Sequence, residues 1–401
     1  MNGNLLSFDE AYEKLLGFVR PVREVESVDT MLACGRVLAA ALHSTISQPT
    51  MDNSAMDGYA LRAADVPVAG TRLAVSQRIP AGSVGHALVP GTAARIFTGA
   101  PLPAGADTVV MQELCEHDGD HVLINTVPTL GEAVRRKGQD IGVGEEVLPA
   151  GVRLTPQALA LAASVGAAQL PVYRRLKVAV FSTGNELVMP GEPLPPGAIY
   201  NSNRFLLRAL LADLGCAVED FGIVPDRLDL TREVLRRAAE GHDLILTSGG
   251  VSVGEEDHVK PAVEAEGRLD MWKIAMKPGK PLAYGRVHAA AFIGLPGNPV
   301  SSFVTFLLLV RPFVLASQGC AEVAAQSMML RAEFDWPRPD RRREFLRARM
   351  DASGGIELFA NQGSAALNST VWANGLVDIP AGTTVKRGEM LRFLPYGGLL
   401  H

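Results

Sequence analysis

Residues 242–250 read "HDLILTSGG", and the chain continues "VSVGEEDHVK" to residue 260. An apolar run that ends in two glycines reads as a strand entering a turn. The two segments before it repeat the arrangement. "LKVAVFSTG" (176–184) is an apolar strand ending in a glycine turn, and "CAVEDFGIV" (216–224) is a second strand. Between the three lie "NSNRFLLRALLADLG" (201–215), a capped amphipathic helix, and "LTREVLRRAAEG" (230–241), another helix. Strands alternating with helices of ten to fifteen residues predict a parallel sheet with crossover helices, from about residue 175 to about residue 316. Ligands of such sheets bind beyond the carboxyl ends of the strands, and "STGNEL", "VPD" and "SGGVSVGEED" all fall there.

The flanks differ in character. "SFDEAYEKLL" carries Ser7 and Glu10 at capping-box spacing, with Ala11, Leu15, Phe18 and Val19 on one helical face. "LTPQALALAASVG" (154–166) repeats the signal, with Thr155 as N-cap, Pro156 in the first turn and Gly166 as stop. Residues 50–146 between them are rich in Gly and Pro, with short β-like runs, so a helical layer is interrupted by a β-rich insertion. After Arg331 the chain is β-rich again and predicts a small barrel-like domain. The most lipophilic run, residues 302–316, is too short to span a membrane and is broken by Arg311 and Pro312, which predicts a buried helix. The start of the chain has early acids and no secretory pattern. A net charge of −5 over 401 residues argues against duplex nucleic acid as the main partner. Cys34, Cys115, Cys216 and Cys320 are far apart, which disfavours a disulfide framework or structural zinc and suits a reducing, cytoplasmic setting.

Four stretches carry chemistry. Gly249 and Gly250 permit a sharp turn whose N–H groups, with the Ser252 hydroxyl, can cradle an anion. Glu255, Glu256 and Asp257 then suit a site in which phosphate and Mg²⁺ bind together. The alternative is a plain glycine turn with solvated acids. In "MWKIAMKPGKPLAYG" (271–285) a strand through Met276 would put Lys273 and Lys277 on one face, their Cα atoms about 13 Å apart, with the "KPGKP" turn returning Lys280 to them. An edge strand defended by lysines is the other reading. "GLPGNPVSS" (294–302) is a rigid turn into a helix start, with Asn298 as cap, Pro299 at the first position and Ser301 in the first turn. Its exposed N–H groups offer a second anion seat, the other reading being only a well-built helix start. Asp57, Thr98 and Asp140 lie in glycine-rich loops of the insertion, of a kind that often carries function but also forms plain surface turns, whereas Arg135, Arg136 and Lys137 read as a solvated face. No nucleophile elbow, zincin helix, Walker lysine or dinucleotide fingerprint is present. The residues thus describe an α/β protein for a phosphorylated ligand and a second oxyanion, with Mg²⁺.

"MDGYA", "TGAPLPAGADTVV", "STGNEL", "SGGVSVGEED", "KPGKP" and "LPGNPVSS", in this order, resemble the molybdenum-insertase family (molybdopterin molybdenumtransferase, MoeA type, and the E-domain of gephyrin) over essentially the whole chain. The resemblance implies a multidomain α/β plus β fold. Residues 1–49 and 142–175 form a split N-terminal linking domain, 50–141 the β-rich insertion, 176–328 a Rossmann-like molybdopterin-binding domain, and 329–401 a C-terminal β-barrel. It implies an elongated cytoplasmic homodimer with a composite active site, the cleft of one chain facing the insertion of the other. Adenylylated molybdopterin and molybdate would give molybdenum cofactor and AMP, with Mg²⁺. Transient contacts with an adenylyltransferase and with molybdoenzymes would follow, and neither nucleic acid nor membrane is involved. By motif, Asp57, Thr98, Asp140, Glu186, Asp226, Asp257, Lys273 and Lys277 would be catalytic, with Glu186, Asp226 and Asp257 at the metal. Thr183, Gly184, Ser248, Gly249, Gly250, Ser252, Gly254, Pro296, Gly297, Asn298 and Pro299 would form the phosphate loops. Lys277, Lys280, Ser301, Arg347 and Ser364 would hold molybdate, and Arg342 could stand in for Arg347. The residues after Ser364 depart from the family pattern, and Asn185 replaces a frequent acid. Two rival readings are the related adenylyltransferase, which usually has Gly-Gly-Thr-Gly where this chain has Gly249-Gly250-Val251-Ser252, and a binding scaffold of the gephyrin type.

Overall fold

The computed structural model describes residues 5–250 and 258–400, apart from the side chains of Met271 and Trp272. At its centre a six-stranded sheet runs in the spatial order Ala217–Val224, Lys177–Thr183, Leu244–Ser248, Ala290–Leu295, Pro281–Val287, Gly267–Lys273. The first four strands are mutually parallel, as the alternation predicted. The last two form antiparallel pairs, so the sheet is mixed rather than wholly parallel. A short connection that cannot house a crossover helix must return antiparallel, and only a turn at 288–289 separates Pro281–Val287 from Ala290–Leu295. Alternate residues of Lys177–Thr183 face opposite layers. Val178 and Val180 pack with Leu207, Leu210 and Leu211 of the helix Ser202–Asp213. Ala179 and Phe181 pack with Leu235 and Ala238 of Leu228–Ala239. Helices on both faces of a sheet whose first strand is flanked by the second and the third leave a crevice where the chain order reverses.

The run 299–317 is a single buried helical rod made of Pro299–Thr305, a π-helical turn Phe306–Val310, and Arg311–Ser317. Pro312 has no N–H to donate, and the widened turn precedes it. This helix, Pro299–Ser317, is apolar and long enough to cross a bilayer, but nearly all of it is buried inside the protein, as expected of a core helix. The N-terminal helix Phe8–Leu16 has the full Ser7/Glu10 capping box and places Ala11 and Leu15 in that same core.

Val25–Asp29 pairs antiparallel with Gln169–Tyr173, which brings the two sides of the insertion together. The helix Pro156–Ser164, capped by Thr155, packs on that pair through Ala158 and Ala162. The insertion is a six-stranded sheet with an apolar cluster on each face. At the C-terminal end five strands close on themselves: Arg343–Met350, Gly355–Leu358, Met328–Ala332, Met390–Pro395 and Gly375–Ile379, with the last pairing back to the first. Closure leaves no free edge, but the outside of Arg343–Met350 takes one more partner. Met276–Lys277 pairs in parallel with Arg343 and Glu344.

That pairing corrects the expected strand through Met276. The central strand ends at Lys273, because the next backbone groups are claimed elsewhere. Ile274 N–H donates to the Lys280 carbonyl (2.8 Å), Ala275 N–H to Leu6 (2.7 Å), and Arg343 N–H to the Ala275 carbonyl (2.9 Å). Lys273 and Lys277 therefore belong to different sheets.

Candidate active site

Parallel register sets the ends of the strands level. Thr183 lies opposite Val224, and Ser182 opposite Ser248, which lies opposite Leu295. The loops that leave this rim face the barrel, and between them is a cleft of about 1120 Å³. The lining from the sheet rim is glycine-rich. Gly249 and Gly250 have φ of 89° and 67°, a region that disfavours any side chain. A Cβ on Gly250 would lie 2.4 Å from Val259 Cγ2 and 2.7 Å from Thr183 Oγ1. The backbone is packed this tightly while its outer side lines the cleft, the arrangement an anion cradle needs. Thr183, Gly184, Ser248, Gly249, Gly250, Pro296, Gly297, Asn298 and Pro299 all line it, with Glu186 and Asp226. Asp226 accepts a hydrogen bond from the Asn185 N–H (3.0 Å), and its own N–H donates to Asn185 Oδ1 (3.2 Å). Asn185 thus orients the acid beside it. Asn298 occupies the N-cap position, yet its side chain makes no capping bond and is exposed. Ser252, Gly254 and Asp257 lie outside the described residues.

The rest of the lining, chiefly from the 277–281 turn and the barrel, is cationic. Lys277, Lys280 and Arg342 line it with Ser301 and Ser364. The loop carrying Ser364 is tied to the start of the buried rod, since Val300 N–H donates to the Ser364 carbonyl (3.1 Å). Lys277 Nζ donates to Glu344 Oε1 at 2.8 Å and is 3.4 Å from Asp340 Oδ2. The hydrogen bond to Glu344 and the Asp340 carboxylate raise the Lys277 pKa, although partial burial opposes them. Arg342 grips Asp340 through two bonds of 3.0 Å, which hold that carboxyl far below its usual range.

Arg347 lies elsewhere than its motif implied. Its side chain is fully buried inside the barrel wall and does not line the cleft. It donates to Ser369 Oγ and to the Gly363 carbonyl, both at 3.1 Å. Its backbone exchanges hydrogen bonds with the Gln362 side chain (2.9 Å each). Burial pushes its pKa down to about 10. It therefore shapes the 362–367 loop from behind, and Arg342 supplies the guanidinium at the cleft. Lys273, exposed at the end of its strand, does not line the cleft either.

Asp57, Thr98 and Asp140 lie in the insertion, away from this chain's own cleft. Asp57 Oδ1 accepts from both the Thr98 N–H (2.7 Å) and the Thr98 hydroxyl (2.8 Å). Those bonds lower the carboxyl's pKa, so a fixed anion is presented. Asp140 is exposed in a neighbouring loop. Sequence reasoning missed Tyr200, Asn201, Ser202 and Asn203, which line the cleft. Asn203 Nδ2 donates to the Gly297 carbonyl (2.7 Å), binding the helix start to the Pro-Gly turn. The signal was legible in "IYNSN", three polar residues where one cap suffices. Among the described residues no three acidic, histidine or cysteine side chains converge on a point that could hold a metal.

Three family models match in order: the MoeA N-terminal region (domains I and II) over residues 6–166, a "Probable molybdopterin binding domain" over 179–316, and the MoeA C-terminal region (domain IV) over 329–396. The chain is 43% identical over 317 residues to the Haemophilus influenzae protein named molybdopterin molybdenumtransferase, covering 79% of this chain and 78% of that one. It is 41% identical over 364 residues to molybdopterin molybdenumtransferase 2 of Mycobacterium tuberculosis, covering 87% and 89%. A crystal structure titled as a molybdopterin biosynthesis moeA protein from Pyrococcus horikoshii OT3 superposes with a TM-score of 0.86 at 28% identity, covering 98% of this chain and all of that one.

Proposed function

The chain belongs to the molybdopterin molybdenumtransferase (MoeA) family, and from that premise we propose that its cleft inserts molybdate into adenylylated molybdopterin, giving molybdenum cofactor and AMP. It is a transferase of molybdenum cofactor biosynthesis. The observation that carries the finer reading is the lining of one cleft: a glycine turn and two carboxylates from the sheet rim, together with two lysines, an arginine and two serines. A ligand with a pyrophosphate needs the first group, and a tetrahedral dianion needs the second. Holding both in one cavity supplies proximity and offsets charge where it would otherwise repel.

Mg²⁺ fits the first group, where Glu186 and Asp226 provide two carboxylates and phosphate oxygens would complete the shell. Those two residues would hold it, and bound there it would neutralise phosphate charge. Asp57, Thr98 and Asp140 would act on the cleft of a second copy in a homodimer. Four cysteines without a disulfide suit a cytoplasmic enzyme.

The test is AMP release from adenylylated molybdopterin by the purified protein. It should require both molybdate and Mg²⁺, and Lys277→Ala should lower it at least about tenfold. Release that ignores molybdate, or a protein that instead forms the adenylylated compound from ATP, would refute the assignment.

A further inference from the structure

Lys277 and Arg342 are already balanced by two of the protein's own acids, which are held very differently. The Glu344 side chain is only 2% exposed and sits on a closed barrel strand. One oxygen accepts from Lys277 and the other from Trp336 Nε1 at 2.8 Å. Moving it would strip a buried charge of both partners, so it is fixed. Asp340 lies in the loop that precedes the strand Arg343–Met350, and its side chain is 22% exposed. Its carboxylate bonds go to Arg342, through the backbone N–H and the guanidinium, and to Lys277. Both of these residues line the cleft, whereas Asp340 and Glu344 do not.

The carboxylate of Asp340 therefore takes up donor groups that an incoming oxyanion would need. Every N–H given to it is withheld from the ligand. Lys277 keeps Glu344 whatever Asp340 does, so release of Asp340 would free Arg342 and one side of Lys277 while Glu344 still positions Lys277.

We propose that Asp340 is an internal competitor for the oxyanion seat, an affinity-setting residue that holds Lys277 and Arg342 in the ligand-free cleft and yields them when a tetrahedral dianion binds. It sets a threshold: an oxyanion must outbid a tethered carboxylate, so the site stays closed to weakly held anions. The inference rests on the reading that Lys277 and Arg342 receive molybdate.

The experiment is calorimetric titration of the full-length protein with sodium molybdate, without nucleotide, for wild type, Asp340→Asn, Asp340→Glu and Lys277→Ala. Asparagine keeps the oxygen that accepts from the Arg342 N–H, so the turn is retained, and a thermal melt of each variant checks folding. Asp340→Asn should bind molybdate about fivefold more tightly, the scale of one partly exposed ion pair. Asp340→Glu should return towards wild type. The gain should shrink when ionic strength rises from about 0.05 M to about 0.5 M, because the competition is between charges. Half-saturating molybdate in the AMP-release assay should fall with it. Unchanged or weaker binding by Asp340→Asn, with Lys277→Ala strongly impaired, would make Asp340 a prop for the cations and overturn the competitor role alone. Unchanged binding by Lys277→Ala would remove the oxyanion seat itself and, with it, this inference.

Discussion

Gly250 shows how one residue couples packing to chemistry. Its φ of 67° and the 2.4 Å that would separate a Cβ from Val259 leave no room for alanine. We expect Gly250→Ala to cost about 1–3 kcal/mol in urea unfolding and to raise the half-saturating concentration of adenylylated molybdopterin more than that of molybdate. Equal effects on both would argue that the turn serves stability only. The cysteines make a second case at this scale. Burial pushes the thiols of Cys115 and Cys320 up to about 11 and that of Cys216 to about 12, whereas Cys34 is exposed. At pH 8 a thiol with a pKa near 11 is only about 0.1% thiolate. One thiol per folded chain should react promptly with an aromatic disulfide reagent, and a Cys34→Ser variant should be silent until denatured. Single residues were legible in the sequence when their type had a local reason to be there. Gly249, Gly250, Glu186 and Asp226 were of that kind, because strand-end turns announce themselves. Asp340 and Glu344 were not, because their meaning comes from Lys277, more than sixty positions earlier, reaching them through a strand pairing that no local pattern encodes.

Among elements, the base of the central sheet rests on Asp243. Its carboxylate accepts from the Lys177 N–H (2.8 Å) and takes both arms of Arg174 at 2.7 and 2.9 Å, tying the linking segment to two parallel strands. Burial alone would raise the pKa of Asp243, but the Arg174 pair and the Lys177 N–H outweigh it and lower the value. A depressed folded-state pKa adds stability that is complete above the unfolded value near 4 and is lost as pH falls through the folded one. Asp243→Asn should therefore cost about 1–2 kcal/mol at pH 7 and progressively less below pH 4, measured by urea melts across that range. A cost independent of pH would mean that shape rather than charge is what Asp243 contributes. The helices and parallel strands were readable because apolar period and caps are local: Ser7, Thr155 and Pro156 behave as their types require. The strand through Met276 was not, since its alternation was sound but Leu6, Lys280 and Arg343 compete for the same backbone groups. Arg347 shows the same limit, for its motif revealed the charge but not that Gly363 and Ser369 would enclose it. Replacing it by lysine should loosen the 362–367 loop and raise half-saturating molybdate. An unchanged value would separate that loop from the oxyanion.

At the scale of the whole molecule the acids of the insertion and the cations of the cleft stand apart within one chain. Asp57 is bound to Thr98 in the loops at the edge of the insertion's strands, and neither residue lines the cavity that holds Lys277. Both groups are expected to serve one reaction, and a twofold pairing in which each chain lends its insertion to the other would join them. Complementation decides this. Take Asp57→Asn and Lys277→Ala, each expected to be strongly impaired alone, unfold or dissociate them together, and let them reassociate at equal concentration. If insertion and cleft come from different chains, a mixed dimer has one site carrying both lesions and one carrying neither. With half the dimers mixed, roughly one quarter of all sites should be intact, and AMP release should recover to roughly that fraction of wild type. If each chain completes its own site, every site in the mixture carries one lesion and no activity returns. The two outcomes share every folding and stability effect of the substitutions, so their difference reports only which chain supplies Asp57.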